Sequence, residues 1–372
     1  MLYNEGRAHL PNGCAISGII DTSGGLFSGS DIIESIALMH ERSNGLGGGF
    51  AAYGIYPDHP DEYAIHVFYD DLKAQENVEA FLEKHFLIML SERIPTRKNA
   101  NIVRSPIIWR YFAQPLRNRV AVSGYDEEEY VARCVIHVNN DFDGAFVFSS
   151  GINMGAFKGV GYPEDIGEFY MLDNYHGYSW TAHGRFPTNT PGWWGGAHPF
   201  TLLDFSIVHN GEISSYDANR RYIEMYDYHC SLMTDTEVMT YLADMILRRH
   251  ALPIHMLPKI FAAPMWEEIA RMDDKSREEY ETLRAVYAGA LINGPFSIIL
   301  GFNGGFMALN DRLKLRSMVT AKAGSKVYVA SEESAIRRIE KNLDEIWTPR
   351  GGEPVIALVD ENADIGRRRR VL

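Results

Sequence analysis

Cysteine is scarce in this chain of 372 residues: there are three, Cys14, Cys134 and Cys230. So few, at irregular spacing, argue against a disulfide framework or a zinc site. They fit a reducing compartment, where a free thiol survives as a nucleophile, and a cytoplasmic location is expected. Positive charge is also in deficit, with 36 Lys+Arg against 49 Asp+Glu and a net charge of -13. That balance disfavours a nucleic-acid backbone or an anionic membrane as partner. No uninterrupted hydrophobic run is long enough to span a bilayer. The most apolar stretch, 288–309, is broken by Asn293, Gly294, Pro295, Asn303, Gly304 and Gly305 and reads as strands joined by turns. The opening MLYNEGRAHLPNG has no apolar h-region, so no signal peptide is expected. Repeats and low-complexity linkers are absent. The four arginines at 367–370 read as a solvated terminus, with a docking handle for an acidic partner as the alternative.

What is present is a composition 46% hydrophobic, enough for one large domain or two modest ones. Residues 15–20, AISGII, are β-prone and follow Gly13-Cys14 directly. Ser30 is placed to cap a helix on which Ile32, Ile36 and Met39 share a face. GLGGGFAAYGIY reads as a glycine-rich loop entering a strand. Residues 63–150 read as a separate unit in the order β-α-β-β-α-β, the ferredoxin-like split pattern. Strands and glycine turns follow, then a helix at TDTEVMTYLADMILRRH. There Thr234 and Glu237 form a capping-box pattern, and Val238, Tyr241, Leu242 and Met245 form an apolar stripe. A charged helical segment is expected over 265–285, and strands at PFSIILGF, GFMALND, KVYVASE and PVIALVD.

Four segments carry chemistry-bearing residues: GCAISGI (13–19), HGRFPTN (183–189), HNGEISS (209–215) and TDTE (234–237). Each alone is weak. A lone cysteine is usually a small core hydrophobe, HNG usually a turn, and TDTE a helix cap. Their combination in this order is specific. It resembles the glutaminase domain of class II glutamine amidotransferases, in the N-terminal-nucleophile (Ntn) hydrolase superfamily, and most of all the glutaminase part of glutamate synthase. HGRFPTNTPGWWGGAHPF and HNGEISS carry that likeness, and NGPFSIIL, ALNDRLKLRS and VYVASEES resemble the superfamily's closing segment.

The resemblance implies an α+β fold: a four-layer αββα sandwich of antiparallel sheets over 14–62 and 151–372. Residues 63–150 would be an inserted ferredoxin-like domain and residues 1–13 a propeptide. It implies Cys14 as nucleophile, its freed α-amino group as base, and Asn210 with the Gly211 N–H as oxyanion donors. An α-amino pKa of ~7.7–8.0 suits proton transfer at neutral pH. Arg185 would fork onto the glutamine carboxylate and Asp235 accept from its ammonium, though helix-dipole compensation also explains an acid there. Phe186 and Thr188 would line the pocket. His198 matches a family position near the carboxylate, with a structural histidine as the alternative. Arg42 resembles an arginine that orders the nucleophile's surroundings.

Two features depart from the pattern. Cys14 is not the first residue, so the family's mechanism implies removal of thirteen residues, and attack of Cys14 on the Gly13 carbonyl is the expected route. No acceptor-domain signature follows either. TSGGLFSGSD has Phe27 where a pyrophosphate loop needs aspartate, and GLGGGFAAYG lacks the setting of a dinucleotide fingerprint. The expectation is a glutaminase subunit that passes ammonia to a separate glutamate synthase-like partner. No metal or cofactor is expected in this chain, any flavin and iron–sulfur groups residing on the partner; a homo-oligomer is compatible with the sequence. Two other readings stand beside it. One is a non-catalytic glutamine or amino-acid sensor, and the other an Ntn amidohydrolase acting on another amide.

Overall fold

The computed structural model describes residues 13–186 and 192–365. Two antiparallel sheets lie face to face. The seven-stranded sheet runs Glu345–Trp347, Val319–Ala323, Lys326–Ala330, Ala15–Asp21, Ser179–Gly184, Gly48–Tyr53, Met154–Gly159. The five-stranded sheet runs Phe200–Leu202, Phe205–Gly211, Phe296–Phe302, Gly305–Asn310, Val355–Leu358. Ile16, Ile20, Tyr53 and Val329 of the first sheet meet Val208, Ile299, Phe306 and Ala308 of the second in a buried layer.

The outer faces are covered as well. Ile19, Phe50 and Trp180 pack under the helices Ser30–Ala37, Pro163–Phe169 and Glu333–Ile339. On the far side, Ile207, Ile298 and Leu300 pack against Val238, Met239 and Leu242 of the helix Asp235–Asp244. The layers are therefore αββα, as expected. Because both faces of the inner strands are covered, those strands read as continuous apolar runs rather than alternating ones. Among the described residues, no helix is long and apolar enough to cross a membrane.

Residues 63–149 build a four-stranded antiparallel sheet in the order Phe86–Arg93, Ile107–Pro115, Tyr63–Tyr69, Ala145–Ser149. The helices Leu72–His85 and Glu127–Asp141 cover the face that carries Ile65, Val67 and Tyr69. The opposite face, with Ala64, Phe68, Phe112 and Phe148, packs on Tyr56 and Phe157 of the sandwich. The buried Arg110 sits at this seam. It pairs with Glu92 and donates to the hydroxyls of Tyr56 (3.2 Å) and Tyr175 (3.3 Å).

Local expectations fail where side chains find better partners. Ser30 is the first residue of its helix and Gly29 stands at the cap, because a Cβ at 29 would lie 2.4 Å from the Leu172 carbonyl oxygen. The Thr234–Glu237 capping box does not form: the Glu237 carboxylate instead accepts the N–H groups of Ser231 (3.1 Å) and Leu232 (2.9 Å). The charged segment splits into Trp266–Ile269 and Asp274–Val286, since Asp273 caps a new helix by accepting from Ser276 N–H at 3.0 Å. Short helices at Arg117–Ser123, Pro163–Phe169, Tyr216–Glu224 and Glu333–Ile339, none longer than nine residues, are not expected from the sequence.

Ile299 is fully buried between the two sheets. Ile299→Ala is expected to lower unfolding free energy by ~2–5 kcal/mol, the usual range for such a truncation. Urea unfolding measures it, and a loss under about 1 kcal/mol would mean that the sheets are not tightly packed there.

Candidate active site

Strand register decides which residues meet. Ala15 pairs with Gly184 across the antiparallel strands, so the residue before one strand faces the residues after the other. Cys14 and the pair Arg185-Phe186 are thereby neighbours despite 170 intervening positions in sequence. The Phe186 N–H donates to the Cys14 sulfur at 3.3 Å. Arg42, in a short turn of helix, donates from Nε to the Cys14 carbonyl at 3.1 Å and from Nη1 to Glu332 at 3.1 Å. It ties the Cys14 backbone to the segment bearing Glu332.

The second sheet delivers the rest. Its strand Phe205–Gly211 ends on Asn210 and Gly211 at the same edge. Asn210 is fully buried; its Nδ2 reaches Ser331 Oγ at 3.5 Å, and its Oδ1 lies 4.0 Å from where a Cβ on Gly13 would stand. Gly211 has φ +148°, and a Cβ there would fall 2.0 Å from the Pro295 carbonyl oxygen, so no other residue fits. Asp235 opens its helix beside this strand end. Its carboxylate accepts the Ile213 N–H at 3.1 Å and the Thr236 hydroxyl at 3.3 Å, and lies 3.6 Å from His209 Nδ1.

The glycine run has a steric cause. A Cβ on Gly47 would lie 3.0 Å from Arg185 Cδ, and one on Gly49 would lie 2.2 Å from the His198 carbonyl oxygen. The segment bearing His198 is pressed flat on the sheet there. Lys158, fully buried on the edge strand, holds the same segment by donating to the carbonyls of Gly195 (2.9 Å) and Pro199 (3.2 Å). Burial pushes the Lys158 ammonium down to about 7.

Electrostatics at the site are uneven. Burial raises the Cys14 thiol above its ordinary value, outweighing the Phe186 N–H and the Arg185 and Arg316 charges that favour thiolate. Burial works against the Asp235 charge too, yet His209, the Ile213 N–H and Thr236 hold its carboxyl below the usual range. Burial also depresses Arg185, partly offset by Cys14 and Asp235. The site thus presents a cation, an anion and a protonated thiol. With Gly13 attached, the Cys14 nitrogen is an amide and cannot act as a base.

The expected residues Cys14, Arg42, Arg185, Phe186, Asn210, Gly211 and Asp235 are therefore brought to one edge of the sandwich. His198 is buried behind it, stacked on His183 at 4.0 Å and bonded to Thr236 at 2.7 Å. Thr188 lies outside the described residues. Sequence reading missed His183, His209, Thr236, Lys158, Arg316 and Glu332. Three signals were available: histidines lead both HGRF and HNGE, a threonine sits inside TDTE, and VASEES and LKLRS were already quoted. Among the described residues, no group of three His, Cys, Asp or Glu could hold a metal ion.

Comparison with known proteins bears on this arrangement. The model for "Glutamine amidotransferases class-II" matches residues 69–250, which include Arg185, Asn210, Gly211 and Asp235 but not Cys14. An uncharacterised protein of Archaeoglobus fulgidus is 49% identical over 346 residues, covering 92% of this chain and 91% of its own. A candidate glutamine amidotransferase of Methanothermobacter thermautotrophicus is 26% identical over 333 residues, covering 88% and 93%. The solved glutamine phosphoribosylpyrophosphate amidotransferase of B. subtilis aligns over 96% of this chain at 13% identity and TM-score 0.46, and the alignment spans half, 50%, of that protein.

The raised thiol predicts a pH profile. A thiol whose pKa lies above 9.0 is reactive only as the small thiolate fraction, which grows tenfold per pH unit until that value is passed. Iodoacetamide labelling of Cys14 in the uncut chain, followed by peptide mapping, is expected to climb steadily from pH 7 to beyond 9. A plateau by pH 7.5 would mean that the thiolate is already formed.

Proposed function

We propose that this chain, whose residues 69–250 match the model for class II glutamine amidotransferases, hydrolyses L-glutamine to L-glutamate and ammonia through Cys14. The observation that carries the reading is the meeting of Cys14, Asn210-Gly211, Arg185 and Asp235 at one edge of two facing sheets.

Removal of residues 1–13 converts the Cys14 nitrogen into an α-amine. The amine takes the thiol proton, and the sulfur attacks the side-chain amide carbon of glutamine. The oxygen of the tetrahedral adduct gains negative charge, for which Asn210 Nδ2 and the Gly211 N–H are the donors. Loss of one such donor costs on the order of 10²–10³ in rate. The C–N bond breaks as the ammonium returns the proton to the leaving nitrogen, giving ammonia and a glutamyl thioester. Water then attacks the thioester carbon as the α-amine takes its proton, the thiolate leaves and recovers that proton, and glutamate is released. Arg185 takes the substrate carboxylate and Asp235 its ammonium. Phe186 flanks the bound side chain, and Arg42 fixes the Cys14 carbonyl. The ammonia passes to a separate synthase partner of the glutamate synthase type, which carries any flavin or iron–sulfur group required.

Intact mass measures the first step. The mature protein is expected to lack residues 1–13 and to release ammonia from glutamine. Cys14→Ala is expected to retain those residues and release none. A Cys14→Ala protein that is cut unaided would contradict self-cleavage, and one that still releases ammonia would contradict the nucleophile. Arg185→Met is expected to raise KM for glutamine by about 100-fold, the loss of about 2.7 kcal/mol in a charge-assisted fork. A KM unchanged in steady-state kinetics would remove Arg185 from the carboxylate site.

A further inference from the structure

Three buried histidines lie behind the candidate site: His183, His198 and His209, all less than a tenth exposed. His183 and His198 stack at 4.0 Å. His183 Nε2 contacts the His209 carbonyl oxygen at 2.9 Å, and a carbonyl only accepts, so His183 carries its proton on Nε2. The other two rings converge on one hydroxyl. Thr236 Oγ1 is 2.7 Å from His198 Nε2, 3.1 Å from His209 Nδ1 and 3.3 Å from Asp235 Oδ1.

A hydroxyl has one proton and two lone pairs. If Thr236 donates to Asp235, it accepts from His198 Nε2–H and His209 Nδ1–H, and all three contacts are hydrogen bonds. If it donates to either ring, the Asp235 contact is left without a proton and one bond is lost. The first arrangement also turns the His209 N–H toward the Asp235 carboxylate, 3.6 Å away, rather than a lone pair. It leaves the bare nitrogens at His183 Nδ1, His198 Nδ1 and His209 Nε2. Each of those three nitrogens is buried and has no hydrogen-bond partner among the described residues. A second proton on any of these rings would be a buried N–H with no acceptor. Burial also pushes His183 down to about 3 and His198 well below its ordinary value, in keeping with neutral rings.

We propose that Thr236, fed by neutral His198 and His209 in these fixed tautomers, is the positioning residue that orients the Asp235 carboxylate and so sets the enzyme's demand for a substrate with an α-ammonium group. The proposal rests on glutamine being the substrate and adds how its ammonium is selected. Asp235 is the first residue of its helix, and its carboxylate is held by neighbours, the Thr234 hydroxyl among them at 3.5 Å. One side is the Ile213 N–H at 3.1 Å, and the other is the Thr236–His209 pair. The chain of donors runs one way, from ring N–H to hydroxyl to carboxylate.

Two measurements on the full mature chain test this. Long-range ¹H–¹⁵N correlation with ¹⁵N-labelled histidine is expected to assign Nε2–H to His183 and His198 and Nδ1–H to His209, all neutral near pH 7. An imidazolium, or the other tautomer at His198 or His209, would overturn the chain of donors. Kinetics then compare L-glutamine with glutaramate, which lacks only the α-amino group. Thr236→Val is expected to raise KM for glutamine about tenfold with kcat within about threefold, and to cut the preference for glutamine over glutaramate by about the same tenfold. Thr236→Ser, which keeps the hydroxyl, is expected to restore both. A merely structural threonine would lower activity on both substrates equally, and that result would overturn the proposal. A wild-type chain inert on glutamine would remove the substrate reading instead, leaving the tautomer pattern to stand or fall by itself.

Discussion

The site depends on one antiparallel register, the pairing of Ala15 with Gly184. A slip of one residue would reverse every side chain of a strand with respect to the two cores. That slip is strongly resisted here, because both faces of the strand Ala15–Asp21 are buried: Ile16 and Ile20 on one side, Ala15 and Ile19 on the other. The apolar cores thus hold Cys14 beside Arg185 and Phe186 indirectly. The candidate site lies where these buried strands run out, so its polar groups stand at the end of the apolar cores.

Around that edge, close approach replaces flexibility. Gly47 and Gly49 let Arg185 and the His198 segment lie against the sheet, and Gly211 lets its strand pass the Pro295 carbonyl. Lys158 and Arg42 bind carbonyls at the rim, and their charges serve as anchors rather than as surface solubility. Bringing such groups inside is costly unless they are well bonded. The bonds made by Lys158, Arg42 and Thr236 supply that condition, and each fixes a different part of the same wall.

The sandwich was legible because its strands are long apolar runs broken by Asn, Gly and Pro. The residues nearest the chemistry were legible because motif order, rather than any single motif, is specific. What the sequence did not disclose are partnerships between distant segments. Nothing near TDTE says that Glu237 turns back to Ser231 and Leu232 instead of closing a capping box, or that Thr236 gathers two histidines from other elements. Gly29 displaced Ser30 from the cap for a steric reason located at Leu172, far along the chain. Tertiary contacts override local preference at these points.

Under the proposed function, Cys14 reacts with glutamine held at its two charged ends by Arg185 and Asp235. The most direct test is covalent: treat the mature protein with an electrophilic diazoketone analogue of L-glutamine and map the adduct by mass spectrometry. The account predicts a single adduct on Cys14, none on Cys134 or Cys230, and protection by excess L-glutamine. Labelling spread over all three cysteines, or labelling of Cys14 that glutamine does not slow, would contradict it.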